Sequence, residues 1–255
     1  MSGLLNQNII LDAKNKVKSN PIKDHTDFLY CSHGKNRIEI CSARNPGKSP
    51  KLFRWSSWEP KTPFAPTIDC PMWSTYMPDG FADTCLKVVK EYEPTLGDWK
   101  TYNIFSWDSH ITSKLRLIIE SEVNEFHNEL EFDWPDKLWI RGWMSIIDVG
   151  DGLSIHAHSF HENSFLSGNI LLTNSEVSTE YIIPSLSTYY GTYQPRSRKG
   201  MMTIFPSWVE HYVPEVSKKR YAFAWDLYTE ESMSYMATQS PRGNSDPMRL
   251  SVPFQ

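Results

Sequence analysis

The sequence lacks long runs of one kind of residue. Among its 255 residues, 26 Lys and Arg stand against 30 Asp and Glu, giving a net charge of −4, and neither sign forms a long run. Nucleic-acid binding through bulk positive charge is therefore not indicated. No stretch comes near the roughly 18 to 20 apolar residues that a membrane span needs. The N-terminus has no basic run and no small-residue cleavage pattern, so we expect a soluble, cytoplasmic protein without membrane contact.

Cysteine is scarce and is not arranged as in metal or redox motifs. Cys31, Cys41, Cys70 and Cys85 are the four cysteines, and they contain no C-x-x-C pair. This spacing excludes a zinc knuckle and a thioredoxin-like motif. We expect reduced, partly buried thiols.

The two ends of the chain show little regular pattern. Seven prolines fall between Pro46 and Pro78, with tryptophans among them, which favours extended segments and turns over long helices. We predict an irregular, Pro/Trp-rich arm over residues 1–78 that wraps a core domain over residues 79–229. Residues 230–255 are rich in Ser, Pro, Gly and Asn without a period, which indicates a C-terminal extension.

Two helices are predicted at the start of the core domain. Apolar residues recur at three- and four-residue steps over 80–93 and over 109–130. Asp79 is available to cap the first helix, and Asp108 or Ser109 the second. Each helix has one apolar stripe, so each should lie against a sheet.

From Leu138 onward the apolar pattern changes to a period of two. The candidate strands are 138–149, 153–158, 165–173, 180–184, 200–206 and 220–228. Short strands at this spacing, with Gly, Asp, Asn and Pro between them, predict an antiparallel sandwich or barrel.

Histidines provide the first candidate for chemistry. His156 and His158 flank one alanine in a strand-like stretch, so both imidazoles leave the same face of the strand. One metal ion can bind both, with a third ligand from a neighbouring strand. His211, which is 55 residues beyond His156 and follows another short apolar strand, is the candidate.

Arg220 opens the most regular alternating strand. One face carries the bulky residues Tyr221, Phe223, Trp225 and Leu227, and the other carries Arg220, Ala222, Ala224 and Asp226. The second face is typical of a cavity wall. A buried arginine needs a carboxylate partner, either an acid of the chain such as Asp226 or a ligand carboxylate. Histidines for a metal followed by an arginine for an acid are typical of a non-haem iron oxygenase.

Six short motifs follow one another from about Leu138 to Tyr228. They are Trp143 with Ser145, Gly150-Asp151, His156-Ala157-His158, Ser167-Gly168, Phe205-Pro206-Ser207-Trp208 with His211, and Arg220 leading to Asp226. In this order they resemble the Fe(II)- and 2-oxoglutarate-dependent dioxygenases. The resemblance is closest to the 2-oxoglutarate oxygenases common in marine bacteria and their phages.

This resemblance implies a fold, a reaction and two cofactors. The fold is mainly β with flanking α, a double-stranded β-helix (a cupin-like jelly-roll) with supporting helices. The reaction is hydroxylation of a C–H bond in an unidentified small-molecule or peptide substrate, with release of succinate and CO2. Fe(II) would be held by His156, His158 and His211, and the far carboxylate of 2-oxoglutarate by Arg220. The oligomeric state is not predicted.

Departures from the family pattern leave the set of metal ligands open and remove one expected hydrogen bond to 2-oxoglutarate. The wider superfamily usually has His-x-Asp/Glu, but His158 stands at the position of the acid. Counting backward from Ser167 places His161 there instead, and Glu162 is near enough to supply a carboxylate, so both are alternatives to His158. Ala222 replaces the small polar residue often found two after the arginine.

Two other functions fit the same residues. One is a three-histidine metal dioxygenase that does not use 2-oxoglutarate. The other is a β-barrel that binds a ligand without catalysis, having lost the acid of the triad. Succinate release that depends on Fe(II) and 2-oxoglutarate distinguishes a 2-oxoglutarate-dependent oxygenase from both of these functions.

Overall fold

The structure is a computed structural model. It describes residues 36–42, 51–57, 64, 69–93, 103–107, 109–130, 133, 135–158, 164–183, 192–239 and 251–254. All of them belong to one unit of the chain, Cys31–Gln255. In these segments no helix combines the length and the apolar character that crossing a membrane requires.

Strands dominate the described residues. They are β1 (Asn36–Ser42), β2 (Lys51–Ser57), β3 (Asp69–Tyr76), β4 (Leu138–Ile147), β5 (Leu153–His156), β6 (Ser164–Leu171), β7 (Glu180–Ile182), β8 (Met201–Pro206), β9 (Glu210–Val213), β10 (Arg220–Thr229) and β11 (Val252–Pro253). The helices are α1 (Phe81–Tyr92), α2 (His110–Leu130) and α3 (Glu230–Gln239), with a short 3₁₀ helix at Ile104–Ser106.

The strands form two antiparallel sheets. The larger sheet has the order β1-β2-β3-β8-β6-β10-β4-β11, and the smaller one has the order β5-β9-β7. Non-consecutive strands are neighbours in both sheets, as in a jelly-roll, where the chain alternates between two facing sheets. The predicted mainly β fold with a jelly-roll core is confirmed.

The two faces of β10 separate the core from a cavity. Its bulky residues pack in one apolar cluster with the buried residues of α2, among them Leu115, Ile119 and Phe126. The opposite face, from Arg220 to Asp226, lines a cavity of about 610 Å³. Both expectations for this strand, a packing face and a cavity wall, are therefore confirmed.

A glycine lets the sheet accept the largest side chain of this core. Gly168 on β6 lies opposite Trp225 on β10, and a Cβ at Gly168 would lie only 2.3 Å from Trp225 Cζ2. Any other residue would overpack the core. This contact accounts for the glycine of the Ser-Gly motif.

The helix starts agree with the prediction at one helix and differ at the other. The Ser109 hydroxyl accepts a hydrogen bond from the Ile111 N–H at 3.2 Å, so Ser109 caps α2 as expected. At α1 the cap residue is Gly80 rather than Asp79, and no side chain caps it. Gly80 has φ +76°, a left-handed conformation that glycine adopts without steric strain.

The two end segments also contribute strands to the larger sheet. β3 pairs directly with β8, and β1 and β2 continue the sheet beyond it. At the other end of the chain, β11 pairs with β4. These strands are extended, as the proline content favours, but none of them was predicted individually. The domain limits at residues 78 and 229 stay predictions.

Candidate metal and ligand site

Three histidines meet at the smaller sheet. His156 is the last residue of β5 and lies opposite His211 of β9 in the ladder. His158 follows two residues beyond β5, where its backbone N–H donates to Ser207 O at 3.0 Å. The three ring centroids lie 4.4 to 5.3 Å apart. One ligand atom from each ring lies within 4.8 Å of the other two.

Backbone carbonyls orient two of the three rings. His156 Nδ1 lies 2.8 Å from Ser154 O, and His211 Nδ1 lies 3.0 Å from Val209 O. A carbonyl only accepts, so Nδ1 carries the proton in both rings, and Nε2 keeps the lone pair that binds a metal. The local strand geometry thus selects one tautomer for both histidines.

The third ring, that of His158, is oriented by a carboxylate. His158 Nδ1 lies 2.5 Å from Asp226 Oδ1. Asp226 is 1 % exposed and also accepts hydrogen bonds from Ser167 Oγ and Tyr228 OH, each at 2.7 Å. Arg141 Nη2 lies 3.6 Å from Asp226 Oδ2. Burial alone would raise the pKa of Asp226, but His158, Arg141 and the hydrogen bond from Ser167 lower it to about 2, so the carboxylate is ionised.

The histidines are suited to binding a cation. Burial, together with the neighbouring His158, lowers the pKa of His211 to about 3. Burial also lowers the pKa of His156. Both rings are therefore neutral at pH 7, which metal binding requires. Imidazole ligands suit Fe, Zn, Cu or Ni, so the donor set of three histidines fits Fe(II) without being specific for it.

Arg220 lies at the other end of the cavity wall. It is 2 % exposed, and its Nη2 donates to Thr179 Oγ1 at 2.9 Å. Its Nε is buried and has no hydrogen-bond partner among the described residues. Burial lowers the pKa of Arg220 to about 10, so the guanidinium is charged at neutral pH. No carboxylate among the described residues forms an ion pair with it.

The expected alternative of an ion pair between Arg220 and Asp226 does not form. The two residues are six apart on one strand, which places them about 20 Å apart along it. The partners of Asp226 are His158, Ser167, Tyr228 and Arg141 instead.

The histidines and Arg220 line the same cavity. His156, His158 and His211 line it together with Arg220, and Ala222 and Ala224 form the wall between them. The other two predicted ligands, His161 and Glu162, lie outside the described residues, so they stay alternatives to His158.

Two cavity residues had no sequence signal. Thr179, whose hydroxyl accepts a hydrogen bond from Arg220, directly precedes β7. Asn169 of β6 lines the cavity and donates to the Tyr181 hydroxyl at 2.5 Å. Both reach the site through the pairing of distant strands, which no local pattern shows. Asp226 could have been linked to the histidines only by knowing the register between β10 and β6.

Comparisons with known proteins find likeness in structure but not in sequence. No family model matches the chain, and no curated protein matches it. A prolyl-4-hydroxylase from Pseudomonas putida has a TM-score of 0.50 at 9 % identity, covering 62 % of this chain and 88 % of that one. The fold is shared. At such low identity this likeness concerns the fold alone.

Two further solved structures give similar values. SnoN, a non-heme alpha ketoglutarate dependent epimerase from nogalamycin biosynthesis, has a TM-score of 0.49 at 11 % identity, covering 71 % of this chain and 89 % of that one. A prolyl hydroxylase from Trichoplax adhaerens has a TM-score of 0.49 at 9 % identity, covering 64 % and 86 %. The narrower resemblance to oxygenases of marine bacteria and phages stays a prediction.

Proposed function

We propose that this protein is an Fe(II)- and 2-oxoglutarate-dependent oxygenase. The observation that carries the proposal is the buried, charged Arg220, which lacks a carboxylate partner in the described structure and shares a cavity with three converging histidines. A dicarboxylate that binds a metal at one end and an arginine at the other fits this arrangement. The fold shared with a prolyl-4-hydroxylase supports the same class.

In this proposal His156, His158 and His211 hold the iron through their Nε2 atoms. When bound there, Fe(II) with 2-oxoglutarate supplies the oxidising chemistry, in which dioxygen decarboxylates the 2-oxo acid to succinate and CO2 and hydroxylates a C–H bond. The neutral state of His211 and His156 keeps their lone pairs available for the metal at neutral pH.

Arg220 and its surroundings provide the binding energy for the co-substrate. A planar guanidinium donates two parallel hydrogen bonds to a carboxylate, and burial strengthens the attraction between the charges. Thr179 holds the guanidinium from one side. The small side chains of Ala222 and Ala224 leave room between the arginine and the histidines for the carbon chain.

The cavity also offers walls that exclude water. Trp143, Leu153 and Val213 line it beside the histidines, and apolar walls protect a reactive site from solvent. We propose that the substrate is a small molecule or a peptide that is hydroxylated at a C–H bond.

A second candidate is a three-histidine dioxygenase that needs no 2-oxo acid. The ligand set favours it, because His158 stands where a carboxylate ligand is usual. Arg220 opposes it, because such an enzyme has no use for a buried guanidinium reserved for an acid. Dioxygen uptake without a 2-oxo acid is the result that this candidate predicts.

The test measures succinate formed by the full chain with Fe(II), 2-oxoglutarate and dioxygen in the absence of any added substrate. We expect slow, metal-dependent succinate release that His211→Ala reduces below detection. His110→Ala is the matched control, because His110 is exposed at the start of α2, and it should leave the rate unchanged. Dioxygen uptake that is independent of 2-oxoglutarate, or no response to metal, contradicts the proposal.

A further inference from the structure

We propose that Asp226 is a positioning residue for His158. In this inference, which rests on the proposed metal site, Asp226 fixes the His158 ring so that Nε2 faces the other two histidines. It also supplies, one hydrogen bond away, the negative charge that a carboxylate ligand provides in the usual His-x-Asp/Glu pattern. The acid that is missing from position 158 is thus present in space, on β10.

The location of Asp226 makes it a rigid anchor. It lies within β10, between Arg141 on β4 and Ser167 on β6 in the two ladders. Strands pair with β10 on both sides of this position, and the Asp226 side chain is 1 % exposed. His158, by contrast, lies outside β5, so the carboxylate provides the fixed point that the strand does not.

Both oxygens of the carboxylate are occupied. Oδ1 accepts from His158 Nδ1 and from Ser167 Oγ, whereas Oδ2 accepts from Tyr228 OH and lies 3.6 Å from Arg141 Nη2. A carboxylate held from both sides cannot turn toward the histidine cluster. Asp226 therefore acts through His158 rather than as a ligand.

The charge of Asp226 matters because histidine binds a metal only through a neutral imidazole. Three imidazole ligands therefore leave the full 2+ charge of an iron ion uncompensated. A carboxylate that accepts a hydrogen bond from Nδ1–H increases the basicity of the opposite nitrogen and orients the ring, and removing such a partner weakens metal binding about 10- to 100-fold. Within the described segments His156 and His211 have only carbonyl acceptors, so there this effect is confined to one ligand.

The experiment measures binding of Co(II), a spectroscopic substitute for Fe(II), to the full chain in competition with a chelator. We expect Asp226→Asn to weaken the affinity about 10- to 100-fold. Asp151→Asn is the matched control. Asp151 lines the same cavity but is exposed and is not bonded to a histidine in the described structure, so its variant should bind as the unchanged protein does.

A second measurement separates positioning from a general structural role. In the Co(II) protein, the Nδ1 protons of the three histidines give shifted, exchangeable NMR signals. Asp226→Asn should move or broaden one of the three and leave two in place. Equal movement of all three, or none, overturns the inference even if the affinity falls.

A milder variant covers the case in which Asp226→Asn does not fold. Tyr228→Phe removes one hydrogen bond to Oδ2 and leaves the contact between Asp226 and His158, so it should move the same single signal by a smaller amount. Unaltered Co(II) affinity in Asp226→Asn overturns this inference alone. Failure of the unchanged protein to bind Co(II) overturns the proposed metal site as well.

Discussion

The two ends of the cavity wall on β10 differ in how their charges are satisfied. Asp226 and Arg220 are both buried and lie on the same face of the same strand. Asp226 has four partners in the described part of the chain, whereas Arg220 has one hydrogen bond there, to Thr179, and an Nε without any. The charge of Asp226, which has protein partners, positions residues of the protein itself. The charge of Arg220, which lacks a carboxylate partner among the described residues, is available to a ligand.

The difference has an energetic basis. An ionised group taken out of water is strongly destabilising unless hydrogen bonds and an opposite charge compensate it. Asp226 receives that compensation from the protein, but Arg220 does not receive it from the described residues. A buried acid of the ligand would therefore stabilise the arginine end of the cavity much more than the aspartate end.

The largest expected effect on ligand binding comes from removing the charge at the arginine end. Arg220→Met should weaken 2-oxoglutarate binding by about 2 to 5 kcal/mol, because the ligand carboxylate loses its buried partner. Isothermal titration calorimetry of the Co(II)-loaded protein measures this directly. Co(II) affinity itself should stay the same, since Arg220 does not contact the histidines.

Arg141→Met is the matched control for this prediction. Arg141 also lines the cavity, but it lies at the aspartate end and its charge already faces Asp226 at 3.6 Å. Its variant should bind 2-oxoglutarate nearly as well as the unchanged protein. Similar losses in both variants would mean that the cavity attracts acids through its overall charge, and the contrast between the two ends would then be wrong.

The second prediction concerns stability without any ligand. Arg220→Met should stabilise the metal-free protein by about 1 to 3 kcal/mol, because an apolar side chain replaces a buried, poorly compensated charge. Each kcal/mol corresponds to about 2 to 4 °C in Tm for a domain of this size.

Asp226→Leu should have the opposite effect on stability. It removes the carboxylate that accepts hydrogen bonds from His158, Ser167 and Tyr228, and breaking such a buried network destabilises by about 3 to 5 kcal/mol. Thermal unfolding of both variants gives the comparison. Destabilisation by Arg220→Met would indicate that Thr179 and its neighbours satisfy the guanidinium after all.

Alternation along β10 made much of this site predictable from sequence. The period of two separated a cavity face from a packing face, and the spacing of His156, His158 and His211 indicated a cluster. Both inferences need only local geometry and the assumption that strands pair. The same reasoning could not identify the partners of Asp226, because a partner depends on register, and it proposed an ion pair with Arg220 that the strand makes impossible.

The rest of the fold depends on contacts between distant residues. Proline content correctly favoured extended chain before residue 78, but it carries no information about which strand β3 joins. At α1, Asp79 is a good capping residue by type, and the left-handed turn at Gly80 nevertheless places the glycine at the cap. Side-chain preference was outweighed there by the backbone path.

The third prediction concerns a pH range in which the charge of His211 in the unfolded chain changes and the charge of Arg220 does not. His211 takes up a proton near pH 6.5 when unfolded but only near pH 3 when folded. Between these values the unfolded chain binds more protons, so the free energy of unfolding falls as the pH falls, by up to about 1.4 kcal/mol per pH unit for this residue. Arg220, with a pKa of about 10, stays charged throughout this range.

Urea unfolding of the metal-free protein at pH 7, 6 and 5 tests this dependence. Other groups also titrate, so the difference between variants is decisive. His211→Ala should flatten the pH dependence of stability, while His110→Ala should preserve it. Parallel curves for all three proteins would show that His211 is not held neutral by burial.

The smallest expected effect comes from adding one hydroxyl at the arginine end. Ala222 is two residues after Arg220 on the cavity face, and Ala222→Ser should add a hydrogen bond to the ligand carboxylate worth about 0.5 to 1.5 kcal/mol. Ala224→Ser is the control, because it adds the same hydroxyl two residues farther from Arg220 along β10, beside Trp143 and Asn169. A gain in 2-oxoglutarate affinity at 222 but not at 224 places the carboxylate beside Arg220. An equal gain in affinity at both positions means that a hydroxyl anywhere along the cavity wall strengthens 2-oxoglutarate binding. That result contradicts a carboxylate-binding site at Arg220.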